Sequence, residues 1–91
     1  MFNSPWIRKP DFRNIKEINY DDYWQHRGWQ LNQSLKPRER IILGLIPAGA
    51  KVTDIGCGNS LFPIKLKEKG CMVSVADISE IVLAQYKNLG I

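Results

Sequence analysis

Apolar residues recur at helical spacing in four stretches of the chain and bunch into two short β-branched runs between them. Over 20–32, Tyr20, Tyr23, Trp24 and Leu31 fall near the three-to-four spacing of a helix face, and Asp21 and Asp22 sit where the positive end of a helix favours them. Gly28 weakens the middle, so the stretch reads as one helix or two short ones. A firmer helix is predicted over 37–46, with Pro37 in its first turn and Pro47 as its stop. Its apolar stripe is Ile41, Ile42, Leu45 and Ile46, and Arg38, Glu39 and Arg40 lie towards the other side. A strand over 51–55, a glycine loop over 56–60, a helix over 61–69, a strand over 72–76 and a helix over 79–89 follow. Gly70 stands where a helix-ending glycine belongs, and Ser79 is a good N-cap with Glu80 behind it. Strand, helix and strand on short links form a βαβ unit, which requires parallel strands and a right-handed crossover.

The pattern divides the chain into an irregular N-terminal arm (1–19), a helical cap (20–47) and a βαβα unit (48–91). Pro5 and Pro10 break any regular element in the arm, while Trp6, Ile7 and Phe12 give it apolar groups to dock. The fold class is α/β. The sequence given stops at Ile91, where a third strand is expected, and two parallel strands make too small a sheet. The expectation is a truncated unit: the N-terminal part of a larger domain, or a remnant of one.

Composition narrows the picture only a little. With 91 residues, 44% hydrophobic and 24% charged, the chain is an ordinary globular length of one domain at most. The net charge of +4 leans on residues 1–50, which hold eight Lys or Arg against five Asp or Glu, yet the cations form no block. No apolar run approaches a membrane span and no leader is visible in Met1–Arg13, so a cytoplasmic protein is expected. Cys57 follows one strand and Cys71 precedes the next, which places them at opposite ends of a parallel pair, roughly 15 Å apart at about 3.3 Å per residue. Reduced thiols are therefore expected. There is no CxxC pair and no Cys/His cluster, so no metal site is expected.

Candidate chemistry concentrates in Val52-Thr53-Asp54-Ile55-Gly56-Cys57-Gly58-Asn59-Ser60, a strand that breaks into a two-glycine turn, and in Asp77 at the end of the next strand. Strand, glycine turn and helix start in that order hold nucleotide-like ligands, because glycine lets the backbone take positive φ and approach a ligand closely. A dinucleotide fingerprint fits Gly56, Gly58 and Asp77, which lies 21 positions after Gly56. It puts Leu61 where a third glycine belongs, and it gives Asp54 no role.

The run Asp54-Ile55-Gly56-Cys57-Gly58-Asn59-Ser60 resembles the D/E-x-G-x-G-x-G loop of class I, Rossmann-like S-adenosylmethionine-dependent methyltransferases, with Ser60 in place of the third glycine. Val73-Ser74-Val75-Ala76-Asp77-Ile78-Ser79 is similar to that family's next strand and acid, and residues 45–52 to its usual lead-in. The resemblance spans about residues 20–91. It implies S-adenosylmethionine as cofactor, with Asp77 on the ribose hydroxyls and Ile78 against the adenine. Gly56, Cys57 and Gly58 would form the bare loop, and Asp54 and the Gly56 carbonyl would face the methionine ammonium. Asn59 and Ser60 would add polar contacts near the helix start. From the preceding helix, Tyr20, Trp24 or Arg27 would line the pocket, with Arg27 meeting the methionine carboxylate. No residue of the chain is assigned to catalysis, since methyl transfer depends mainly on proximity and orientation.

Each of these residues also has a plain structural use: Asp54 closing a strand, Asp77 entering a helix, the glycines forming a tight turn, Cys57 as a small buried filler, His26 facing solvent. Tyr20, Tyr23, Trp24 and Trp29 suit helix packing. A different class of function remains open, a non-catalytic Rossmann-like binding module whose basic, aromatic first half stacks on nucleic acid or meets a partner. A small-molecule methyl acceptor is favoured over nucleic acid, and nothing in the chain fixes an oligomeric state.

Overall fold

Parallel pairing of two five-residue strands sets the frame of the protein in its computed structural model, which describes residues 18–91. The arm expected over 1–19 lies outside those residues but for its last two. In chain order the elements are α1 (Tyr20–Arg27), α2 (Pro37–Leu45), β1 (Lys51–Ile55), α3 (Phe62–Glu68), β2 (Met72–Ala76) and α4 (Glu80–Asn88). The strands pair in register from Lys51 with Met72 to Ile55 with Ala76, and one further bond, Gly56 N–H to Ala76 O at 2.7 Å, carries the ladder into the glycine loop. The protein is therefore a small α/β structure: among the described residues, four helices and a two-stranded parallel sheet.

Strand alternation decides where the core lies. Val52, Val73 and Val75 are half-buried, and α3 and α4 both pack on β2. The residues between them, Lys51, Thr53, Ile55, Met72 and Ser74, are exposed, so among the described residues this sheet is covered on one face only. Trp24, Cys57, Val82 and Tyr86 form the core cluster, with Val75 and Trp29 packed against it. Leu66, Val82 and Tyr86 are fully buried. Cys57 and Cys71 are both buried free thiols.

Two stretches differ from the hydrophobic pattern. Helix α1 stops at Arg27, and Gly28 N–H returns to Trp24 O. Residues 29–32 turn away to bond the glycine loop instead of continuing the helix: Asn32 N–H donates to Asn59 O at 2.9 Å. Helix α2 forms where expected, with Lys36 N–H bonded to Glu39 Oε1 at its start, but buries no residue. Its Ile41, Ile42 and Leu45 face solvent, because α2 rests chiefly on α3 and is held by polar ties, Lys69 Nζ to Leu43 O and Ser60 Oγ to Glu39 Oε2.

Candidate functional site

The carboxyl ends of β1 and β2 open into a cavity of about 710 Å³, lined by Gly56 and Gly58 from the turn, Asp77 and Ile78 from the end of β2, and the face of α1 that carries Tyr20, Tyr23, Trp24 and Arg27. Ile55, Ala76 and Asn59 complete the wall. A volume of this order suits a small-molecule ligand.

The turn is bent by its glycines. Gly56 and Gly58 have φ of 69° and 56°, the left-handed region that an L side chain enters only with strain. Gly58 also runs 3.6 Å from the Trp24 ring, measured from where a Cβ would stand. Its N–H donates to Asp77 Oδ2 at 3.0 Å, and Ser79 N–H donates to Asp77 Oδ1 at 2.9 Å. The glycine turn and the acid at the end of β2 are thus bonded to one another. An ionised carboxylate accepts about four hydrogen bonds, so Asp77 keeps capacity for a ligand.

Outside the cavity the turn is clamped. Trp29 Nε1–H donates to Gly58 O at 2.9 Å, Tyr86 O–H donates to Ser60 O at 2.6 Å, and the Trp29 and Tyr86 rings meet edge to face at 5.6 Å. Burial pushes the Tyr86 phenol upwards, so it stays a donor. Asn59 directs its side-chain amide to Gln30 O at 3.0 Å and to Asn32 Oδ1 at 3.3 Å.

On α1, the Arg27 guanidinium donates to Tyr23 Oη and stands 5.6 Å and 5.9 Å from the centroids of the Tyr23 and Trp24 rings. The rings hold a cation on the α1 side of the lining. The site thus combines an acid from the strand end with a cation and aromatic surface from the helix.

Of the residues expected from sequence, Tyr20, Arg27, Gly56, Gly58, Asn59, Asp77 and Ile78 line the cavity, as does Trp24. Asp54, Cys57 and Ser60 do not. Cys57 turns into the core, 6% exposed, where burial and the nearby Asp77 and Asp54 push its thiol up to about 11. Ser60 serves the fold, its Oγ accepting from Phe62 N–H at 3.0 Å at the start of α3 and donating to Glu39 Oε2 at 2.6 Å. Asp54 lies half-buried beneath the turn, its carboxyl held above the usual carboxylate range by burial first, then by Glu39 and Asp77. Sequence reasoning missed Tyr23, Ile55 and Ala76 as wall residues. Helix spacing carried the signal for Tyr23, three after Tyr20 and four before Arg27. The paired strand ends carried it for Ile55 and Ala76.

Comparison of the chain with protein-family models, with curated proteins and with solved structures finds no match. No helix among the described residues is long and apolar enough to cross a membrane.

Proposed function

We propose that this cavity binds S-adenosylmethionine and that the chain is the cofactor-binding part of a Rossmann-like methyltransferase. One observation carries the reading: Gly58 N–H donates to the Asp77 carboxylate in the lining of a cavity to which α1 contributes Arg27. The ligand is a nucleoside with two vicinal hydroxyls at one end and an amino acid at the other. Asp77 accepts from the hydroxyls in charge-assisted bonds, and Arg27 takes the amino-acid carboxylate. The Gly56 carbonyl, with Asp54 behind it, takes the ammonium. Ile78, 79% exposed, offers its side chain to the base. When bound, the cofactor would supply a methyl carbon already activated by its sulfonium for transfer to an acceptor. The chain's own residues bind and orient. The acceptor we favour is a small molecule, and the two buried free thiols suit the reducing cytoplasm.

The rival reading, a nucleic-acid or partner surface built on the aromatic first half, is less well served. Tyr20, Tyr23, Trp24 and Arg27 form the wall of a concave site. Isothermal titration with S-adenosylmethionine and its demethylated product decides between them. Wild type binds both, and Asp77→Asn, checked for retained fold by circular dichroism, binds at least about tenfold more weakly, a loss of about 1.4 kcal/mol. Equal affinities, or no cofactor binding beside salt-sensitive RNA binding, would overturn the proposal.

A further inference from the structure

The cavity-facing residues of α1, at positions 20, 23, 24 and 27, form one stripe along one side of the helix. Their use depends on how α1 is rotated and tilted about its own axis. The Trp24 ring, buried in the core, fixes the depth of the helix at a single point. A helix pinned at one point still rolls and tilts.

The second point is Asp21. Its Oδ1 accepts from Ser79 Oγ–H at 2.6 Å and from Ile81 N–H at 3.2 Å, bridging about sixty residues of chain. Ser79 is fully buried, and its own N–H is the one bonded to Asp77 Oδ1. Hydrogen bonds therefore run without a gap from Gly58 N–H through Asp77 and Ser79 to Asp21 on α1. A carboxylate at this place also meets the positive end of α4, which strengthens the tie. Both bonds lower the Asp21 carboxyl below its usual range, so the acceptor is ionised at neutral pH.

We propose that Asp21 is a positioning residue: by bonding Ser79 and Ile81 it sets the rotation of α1, and so holds the Tyr20, Tyr23, Trp24 and Arg27 face in register with Asp77. The ligand part of this inference rests on the cofactor reading above. The structural part does not. Loss of the tie frees the helix to roll, and the Arg27 end of the site then no longer acts together with the Asp77 end.

Amide hydrogen exchange on the full chain, without ligand, tests the structural part. Asp21→Ala speeds exchange across Tyr20–Arg27 by about fivefold or more while Phe62–Glu68 keeps its wild-type rate, and Asp21→Asn, which keeps an acceptor oxygen, restores most of the protection. Ser79→Ala, which removes the Ser79 bond from the other side, also speeds exchange in α1, together with exchange in the first turn of α4, which Ser79 caps. Unchanged exchange in α1 for both alanine variants overturns the proposal. Titration with S-adenosylhomocysteine tests the coupling. Asp21→Ala and Arg27→Ala each weaken binding about tenfold, and the double variant is also weakened about tenfold, because the second change removes what the first has already uncoupled. An additive loss of about a hundredfold overturns the coupling. If wild type binds no S-adenosylhomocysteine while α1 still responds to Asp21→Ala, the cofactor reading falls and the positioning role stands.

Discussion

Asp54 lies half out of water with Glu39 and Asp77 near it, and burial and those two charges raise its carboxyl above the usual range. A folded-state value above the unfolded one means that the folded chain holds the extra proton between the two values. Stability from this group therefore falls as pH rises from the ordinary carboxylate range through the raised value, and above it the ionised group costs the fold. Asp54→Asn removes that cost. Thermal unfolding at pH 7 is expected to rise by about 2 °C, the shift from a few tenths of a kcal/mol after allowance for solvent screening of a half-exposed group. Cofactor affinity is expected to fall in the same variant, because Asp54 is proposed to stand behind the site that takes the ligand ammonium. A melting temperature that drops on substitution would show that the carboxylate stabilises the fold, contrary to this account. Opposite shifts of stability and binding in this one variant would mark Asp54 as held beneath the turn for a ligand rather than for strand closure.

At the scale of elements, the two strands and the loop between them were legible because their signals are local. β-Branched runs bounded by glycines place both strands at the observed residues, and Ser79 caps α4 through Val82 N–H as its type and position suggest. The stretch 29–32 was not legible as a clamp, because Trp29 and Asn32 find their partners nearly thirty residues away, on Gly58 and Asn59. The apolar stripe of α2 was legible as a helix but misleading as core: Leu45 is 77% exposed, whereas Leu66 is fully buried. Two comparisons follow in thermal or denaturant unfolding. Leu45→Ala is expected to cost under ~0.5 kcal/mol and Leu66→Ala about 2–5 kcal/mol. Trp29→Phe keeps a ring against Tyr86 but leaves the Gly58 carbonyl without its donor, at about 1 kcal/mol, or a fall of ~5 °C. Similar losses for the two leucines would mean that α2 buries its stripe in solution.

At the scale of the whole molecule, the described residues give the sheet one covered face and one open face. Among the described residues β1 and β2 pair only with each other, so within them each keeps a bare edge, and the outward row of Ile55 and Met72 stays exposed on either side of the Thr53–Ser74 hydroxyl contact at 2.8 Å. Parallel sheets are ordinarily covered on both faces, and unpaired edges beside exposed apolar side chains attract further strands. The 91-residue chain on its own is therefore expected to self-associate through this face. Sedimentation velocity over about 10–300 μM should show a rising weight-average mass that added salt does little to reduce, since the contact is apolar rather than charged. Met72→Lys, which sets a charge on the open face far from the cavity, should return the chain to monomer without weakening the proposed ligand binding. Leu45→Lys, on the exposed stripe of α2, should leave association unchanged. A chain monomeric across that range, or one rendered monomeric by Leu45→Lys alone, would show that the open face is not where copies meet.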